Sequence, residues 1–144
     1  MYVNRDENGK ISAIFACEQY QGQEWIAEIP VDIDYLRNKY AELDDAKCLE
    51  RLQNGIAFNS RLFDMNTEAK SNIIALISAL EDNQTVDYVD YNYNTVYMTK
   101  TQLKELLAAI VALTGQIYHK NAQNQLAIKQ AASEEELNLI NILY

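Results

Sequence analysis

One stretch limits what this chain can become. From Met98 to Ala132 the sequence reads MTKTQLKELLAAIVALTGQIYHKNAQNQLAIKQAA, its longest unbroken helical pattern. Thr99 with Gln102 forms a capping box, and Met98 stands where it can close a hydrophobic staple on Leu103. Leu103, Leu106, Leu107, Ile110, Leu113, Thr114 and Ile117 then recur at spacings of three and four, one face of a helix. Thirty-odd residues of helix measure about 50 Å, whereas a domain of this size is roughly 35 to 40 Å across. The helix is therefore expected to bend near Gly115, to project, or to pack on another chain. Its second half, Gln116 to Lys129, is strongly polar.

The other segments read as cover for that helix. A hairpin is expected over residues 1–15, turning at Glu7-Asn8-Gly9-Lys10. A third strand follows over Glu24 to Ile29, ended by Pro30 and carrying Trp25, the single tryptophan. A lone Trp in such a strand reads first as a core anchor and second as a binding residue. Asp32 or Asp34 opens a first helix whose apolar face runs through Leu36, Tyr40, Leu43, Ala46, Leu49 and Leu52, with Gly55 at its end. Two very short strands turn at Asn59-Ser60. A second helix from Asn66 or Thr67 to Glu81 carries Ala69, Ile73, Leu76, Ile77 and Leu80, a stripe suited to the Leu103–Ile117 face. The fold class that results is α+β: a small N-terminal β element (1–31), then short hairpins and three or four helices packed around the long one (32–144).

Composition removes several functions. A net charge of −9 with no Lys or Arg cluster argues against nucleic acid and against an anionic membrane surface. No apolar run approaches the roughly 20 residues of a membrane span. Cys17 and Cys48 have no metal-ligand spacing and, without a signal peptide, are expected reduced in a cytosol. Two stretches imitate calcium loops. Asn4-x-Asp6-x-Asn8-Gly9 has Phe15 where the closing Glu belongs; Asp90-x-Asn92-x-Asn94 has Thr95 for the Gly and Thr101 for the Glu. Both are read as plain turns, and no metal or cofactor is expected. Asp32, Asp34, Asp44 and Asp45 read as a helix start and a solvated face. His119, the only histidine, has no acidic, Cys or Ser partner at motif spacing. With no nucleophile–base pair, phosphate loop or metal set, the chain is not expected to be an enzyme.

Two features remain for contact. The chain holds ten tyrosines, and TVDYVDYNYNTVYM (85–98) places Tyr88, Tyr91, Tyr93 and Tyr97 in one expected hairpin. Such rings can cover a sheet face or, with Trp25, form an interaction patch. At the other end, Ser133 and Glu136 box a last helix on which Leu137, Leu139, Ile140, Ile142, Leu143 and Tyr144 leave few polar sides. Leu137, Ile140, Leu143 and Tyr144 are accordingly expected to contribute to a homo-oligomer contact.

From about Cys48 onward the order of features resembles a small uncharacterised domain of phage tail-fibre and related tail proteins. The resembling pieces are Arg51-Leu52-x-x-Gly55, then Ala57-Phe58-Asn59-Ser60-x-Leu62-Phe63-Asp64, Ser71-Asn72-Ile73, the hairpin from Tyr88 to Tyr97, and Met98-Thr99. That family commonly has Asn-Gly in the small hairpin and Trp at the start of the acidic one, where this chain has Asn59-Ser60 and Tyr88. Asp6-Glu7-Asn8-Gly9-Lys10 and Glu28-Ile29-Pro30 are similar to the openings of short tail-fibre assembly proteins. The resemblance implies a tail component or a tail-fibre assembly helper that binds a tail-fibre or other tail protein, made in the bacterial host cytoplasm. A glycan-binding module using the same tyrosines is the rival of another class.

Overall fold

The capping box forms as the sequence predicts: Thr99 accepts from the Gln102 backbone N–H, and the Gln102 side chain accepts from the Thr99 N–H. From it the long helix runs unbroken over Lys100–Gln130. The computed structural model describes residues 1–15, 24–25 and 32–144. These fall into two units, Met1–Asp32 and Ile33–Tyr144.

In the first unit β1 (Tyr2–Arg5) pairs antiparallel with β2 (Ile11–Phe15) and with the two-residue β3 (Glu24–Trp25), giving the order β2-β1-β3. The Asp6 carboxylate accepts the N–H groups of Asn8 and Lys10, and backbone bonds from Asp6 N–H to the Lys10 carbonyl and from Gly9 N–H to the Asp6 carbonyl complete the turn. Arg5 pairs with Glu24 across β1 and β3. The strand predicted over Ile26 to Ile29, Pro30 and Cys17 lie outside the described residues.

In the second unit the order is α1 (Ile33–Gln53), β4 (Ile56–Phe58), β5 (Arg61–Phe63), α2 (Thr67–Ala79), β6 (Thr85–Val89), β7 (Thr95–Thr99), α3 (Lys100–Gln130) and α4 (Glu134–Asn138). β4 with β5 and β6 with β7 are separate antiparallel pairs. The architecture is α+β, with the helices gathered on α3. Asn59 and Ser60 both take positive φ, 47° and 63°, the two-residue hairpin turn that Asn-Gly would adopt without strain. Gly55 is required: its φ is +71°, and a Cβ there would come within 2.6 Å of the Phe63 carbonyl.

The length of α3 is accommodated without a break at Gly115, because each half is covered by a different part of the chain. Leu103, Leu106, Ile110 and Ile117 join Ile73, Phe63, Met65, Met98, Ile56 and Cys48 in the main core, with Ile77 and Leu107 packed at its edge. Ile128 and Ala131 form a second core with Leu137, against Ile33, Leu36, Tyr40 and Ala41 of α1. Arg37 closes that end by donating through Nε and Nη2 to the Ala131 carbonyl, an otherwise unpaired group at the helix C-terminus.

One expected face is wrong. Leu43 and Leu49 of α1 are 45% and 58% exposed, and Ala46 is exposed. The inward ridge runs instead through Leu36, Tyr40, Asp44, Cys48 and Leu52, at spacings of four. The drift in the apolar pattern came from the carboxylate that occupies one core-facing position.

Urea unfolding should separate the two kinds of site on α3. Leu106→Ala, which empties a fully buried position, should cost about 2–5 kcal/mol. Leu126→Ala, at a residue 57% exposed, should cost about 0.5 kcal/mol or less. Equal losses would misplace the core.

Candidate functional site

Strand alternation sorts the tyrosines of the β6–β7 hairpin. Val86, Tyr88, Val96 and Met98 face the core, and Asp87, Val89, Thr95 and Tyr97 face outward. Tyr88 is half-buried with its ring 6.0 Å from that of Phe63. Burial pushes its hydroxyl above the ordinary range, and the nearby Asp64 charge adds to the effect. Tyr91 also has a structural task. Its N–H donates to the Leu62 carbonyl at 2.8 Å, and its ring lies over Gly55. Tyr93 and Tyr97 are the free ones, 90% and 74% exposed.

The turn between the strands is held by Asp90, which is buried to 5%. Its carboxylate accepts the N–H groups of Asn92 and Asn94, the Asn94 side-chain amide, and the Arg61 guanidinium at 3.1 Å. The Asn94 backbone bond leads these in holding the carboxyl below the usual carboxylate range, against the opposing effect of burial. The calcium-like residues Asp90, Asn92 and Asn94 thus bond one another. Among the described residues, no group of three or more His, Cys, Asp or Glu could hold a metal ion.

Beside the hairpin lies a groove of about 750 Å³, bounded by α2 on one side and β6 on the other. Asp64, Glu68, Asn72, Asp87, Tyr88 and Tyr93 are among its lining residues. This groove was not legible in the sequence, because its acidic residues come from two separate stretches, Asp64 with Glu68 and Asp87 with Asp90, that only the fold brings together. Trp25 belongs to the other unit and is 61% exposed, not the core anchor expected of it. His119 is exposed on α3.

The C-terminal residues expected to form an oligomer contact are largely occupied within the chain. Leu137 is fully buried in the second core, and Ile140 packs against it. Leu143 and Leu139 remain outside, 69% and 84% exposed. The Tyr144 hydroxyl donates to Asp44 at 2.6 Å, and Lys120 reaches both the Leu143 carbonyl and the Tyr144 ring.

Asp44, read as part of a solvated face, is fully buried. Besides Tyr144, it accepts the side-chain amides of Asn121 at 2.9 Å, Asn124 at 2.7 Å and Gln125 at 3.3 Å. These three lie on one face of the polar half of α3, and the same amides of Asn121 and Gln125 also reach Asp45. The polarity of that half therefore serves packing on α1.

Residues 36–141 match the family model described as "Domain of unknown function (DUF4376)". The chain belongs to that family. The match begins at Leu36 in α1 and ends at Asn141, so it takes in the hairpin, the groove and, except for Tyr144, the Asp44 network of this DUF4376 chain. No curated protein and no solved structure matches it.

The Tyr144 bond carries a pH signature. Burial, followed by the adjacent Asp44 carboxylate, pushes this hydroxyl up to about 12, from roughly 10 in an unfolded chain. A raised folded value favours the neutral form, so the stability it supplies is whole below about pH 10 and is lost as the pH approaches 12. Urea midpoints of the wild type and Tyr144→Phe should therefore differ most at pH 8 and converge by pH 11 to 12. A constant difference would remove the hydroxyl from the network.

Proposed function

We propose that this chain is a non-enzymatic phage or prophage tail-associated protein, a tail component or tail-fibre assembly helper, that works by protein–protein contact through the β6–β7 hairpin. The resemblance of residues 48 onward to tail-fibre-associated domains supplies the setting. The observation that carries the contact is the outward display of Tyr93 and Tyr97 on a hairpin whose inner face and turn are fixed. A tyrosine ring has only two side-chain torsions to lose on binding, and Tyr is enriched where partners meet. The partner in this reading is a tail-fibre or other tail protein in the host cytoplasm. A glycan-binding role draws on the same two rings, of which Tyr93 lines the groove with its carboxylates and the Asn66 and Asn72 amides.

Co-expression with a phage tail-fibre protein gives the test. The wild-type chain should co-elute with the fibre protein. Tyr93→Ser/Tyr97→Ser should weaken that binding at least tenfold while the melting temperature stays within a degree or two. Unchanged binding by the double variant would dismiss the hairpin as the contact.

Self-association belongs to the same proposal, now resting on Leu139 and Leu143 because Leu137 is enclosed. Wet apolar surface is unfavourable by roughly 25 cal/mol per Å², and a second copy would cover it. Sedimentation at tens of micromolar should show a dimer that Leu139→Ser/Leu143→Ser converts to monomer; a monomeric wild type would end the idea.

A further inference from the structure

The groove beside the hairpin touches Asp87, Tyr88, Val89 and Asp90 in succession. Successive strand residues point to opposite faces, so a cleft meeting all four runs along the edge of β6. Pairing shows which backbone groups that edge presents. Asp90 and Asn94 close the turn through the Asp90 N–H, and the register continues as Val89↔Thr95, Tyr88↔Val96 and Asp87↔Tyr97. Hydrogen-bonded and non-hydrogen-bonded pairs alternate in an antiparallel ladder. Tyr88 and Val96 are therefore the next bonded pair, and the N–H and C=O groups of Asp87 and Val89 point away from β7, toward the groove. Among the described residues the sheet is two-stranded and β6 pairs with β7 alone; beyond its end, the Tyr91 N–H is taken by the Leu62 carbonyl of β5.

This edge lacks the usual protections. Natural sheets blunt open edges with Lys, Pro, bulges or very short strands. Thr85–Val89 is five residues long, contains neither Lys nor Pro, and pairs with β7 without a register shift. Across the groove α2 presents Ala69, Asn72 and Ala75, side chains small enough to leave room for a chain. The charge at the site has one sign: Asp64, Glu68 and Asp87 line it, and among the described residues no Lys or Arg does.

We infer that the β6 edge is a strand-addition site for an extended, lysine- or arginine-bearing segment of a protein partner. Backbone bonds to Asp87 and Val89 would supply the affinity, and the flanking carboxylates would select positive side chains. This rests on the contact reading above and names the partner's chemistry.

The test uses the full chain, ¹⁵N-labelled, titrated with a ten-residue peptide of alternating lysine and threonine. Amide shifts should concentrate at Thr85–Val89 and weaken with added salt. The same peptide with a central proline, or with glutamate for lysine, should bind at least tenfold more weakly. Asp87→Lys should lower affinity at least tenfold. Val89→Pro removes an outward N–H without breaking the β7 ladder and should do likewise; retention of the other amide positions shows that either variant is folded. No shift at Thr85–Val89 with millimolar peptide overturns the proposal, as does equal binding of the proline or glutamate peptide. Shifts at Tyr93 and Tyr97 with maltoheptaose, and none with the peptide, would overturn it in favour of a glycan surface. The fibre co-elution is read separately. If the fibre protein binds and the peptide does not, strand addition fails and the tail reading stands; the reverse result leaves strand addition standing without its tail setting.

Discussion

A carboxylate with no cation beside it among the described residues organises this fold. Asp44 is fully buried among donors that are all neutral: two asparagine amides, a glutamine amide and a tyrosine hydroxyl. Removing a carboxylate from water costs several kcal/mol even after relaxation, so the site is tolerable only when its lone pairs are filled. That requirement fixes the register of α1 on α3, because Asn121, Asn124 and Gln125 reach Asp44 together only when those turns lie opposite it. It also fixes the end of the chain, because the fourth donor is Tyr144. A helix of 31 residues, about 47 Å long, is thereby used along its whole length: an apolar core, a polar bridge, then a small second core.

That framework determines how the hairpin is displayed. Met98 is buried in the main core one residue before the N-cap of α3, so β7 enters the helix without slack. Asp90 then turns the far end, and the Arg61 guanidinium ties the turn to β5. Both ends of the hairpin are fixed by contacts that involve the ring of neither Tyr93 nor Tyr97, although the Tyr93 N–H donates to the Asp90 carbonyl in the turn. Those two rings are consequently free to serve contact without endangering the fold.

Local signals survived the passage from sequence to structure. The capping box at Thr99 forms, Ser133 caps α4 although the Glu136 carboxylate turns to the Ala132 N–H instead of closing the box, the Asn66 cap opens α2, and the Ile73–Leu107–Ile110 stripes meet. Signals that depended on distant residues were lost. Asp44 looked solvated because its partners lie 77 to 100 residues away, and reading it as polar moved the middle of the α1 face onto Leu43, Ala46 and Leu49, while Leu36, Tyr40 and Leu52 stayed on it. Leu137 looked sticky because the pocket that receives it is built from α1 and the end of α3. The calcium resemblances have a common physical origin. A short Asp side chain that accepts nearby N–H groups shapes the same kind of turn whether or not an ion fills it, and at both Asp6 and Asp90 the chain's own N–H groups take that place.

The division of the tyrosines limits what kind of partner the hairpin can hold. Four rings in one hairpin suggest a broad patch, but Tyr88 faces Phe63 and Tyr91 covers Gly55. Two free rings supply far less than the roughly 800 Å² per partner of a stable protein interface. A partner relying on side chains alone would therefore bind weakly. Backbone pairing along β6 adds affinity without adding aromatic surface. Repetition adds it in another way, since copies displayed on one multimeric partner bind with an effective concentration that single contacts lack. A small aromatic patch beside an open strand edge is suited to a partner that offers an extended segment, many copies, or both.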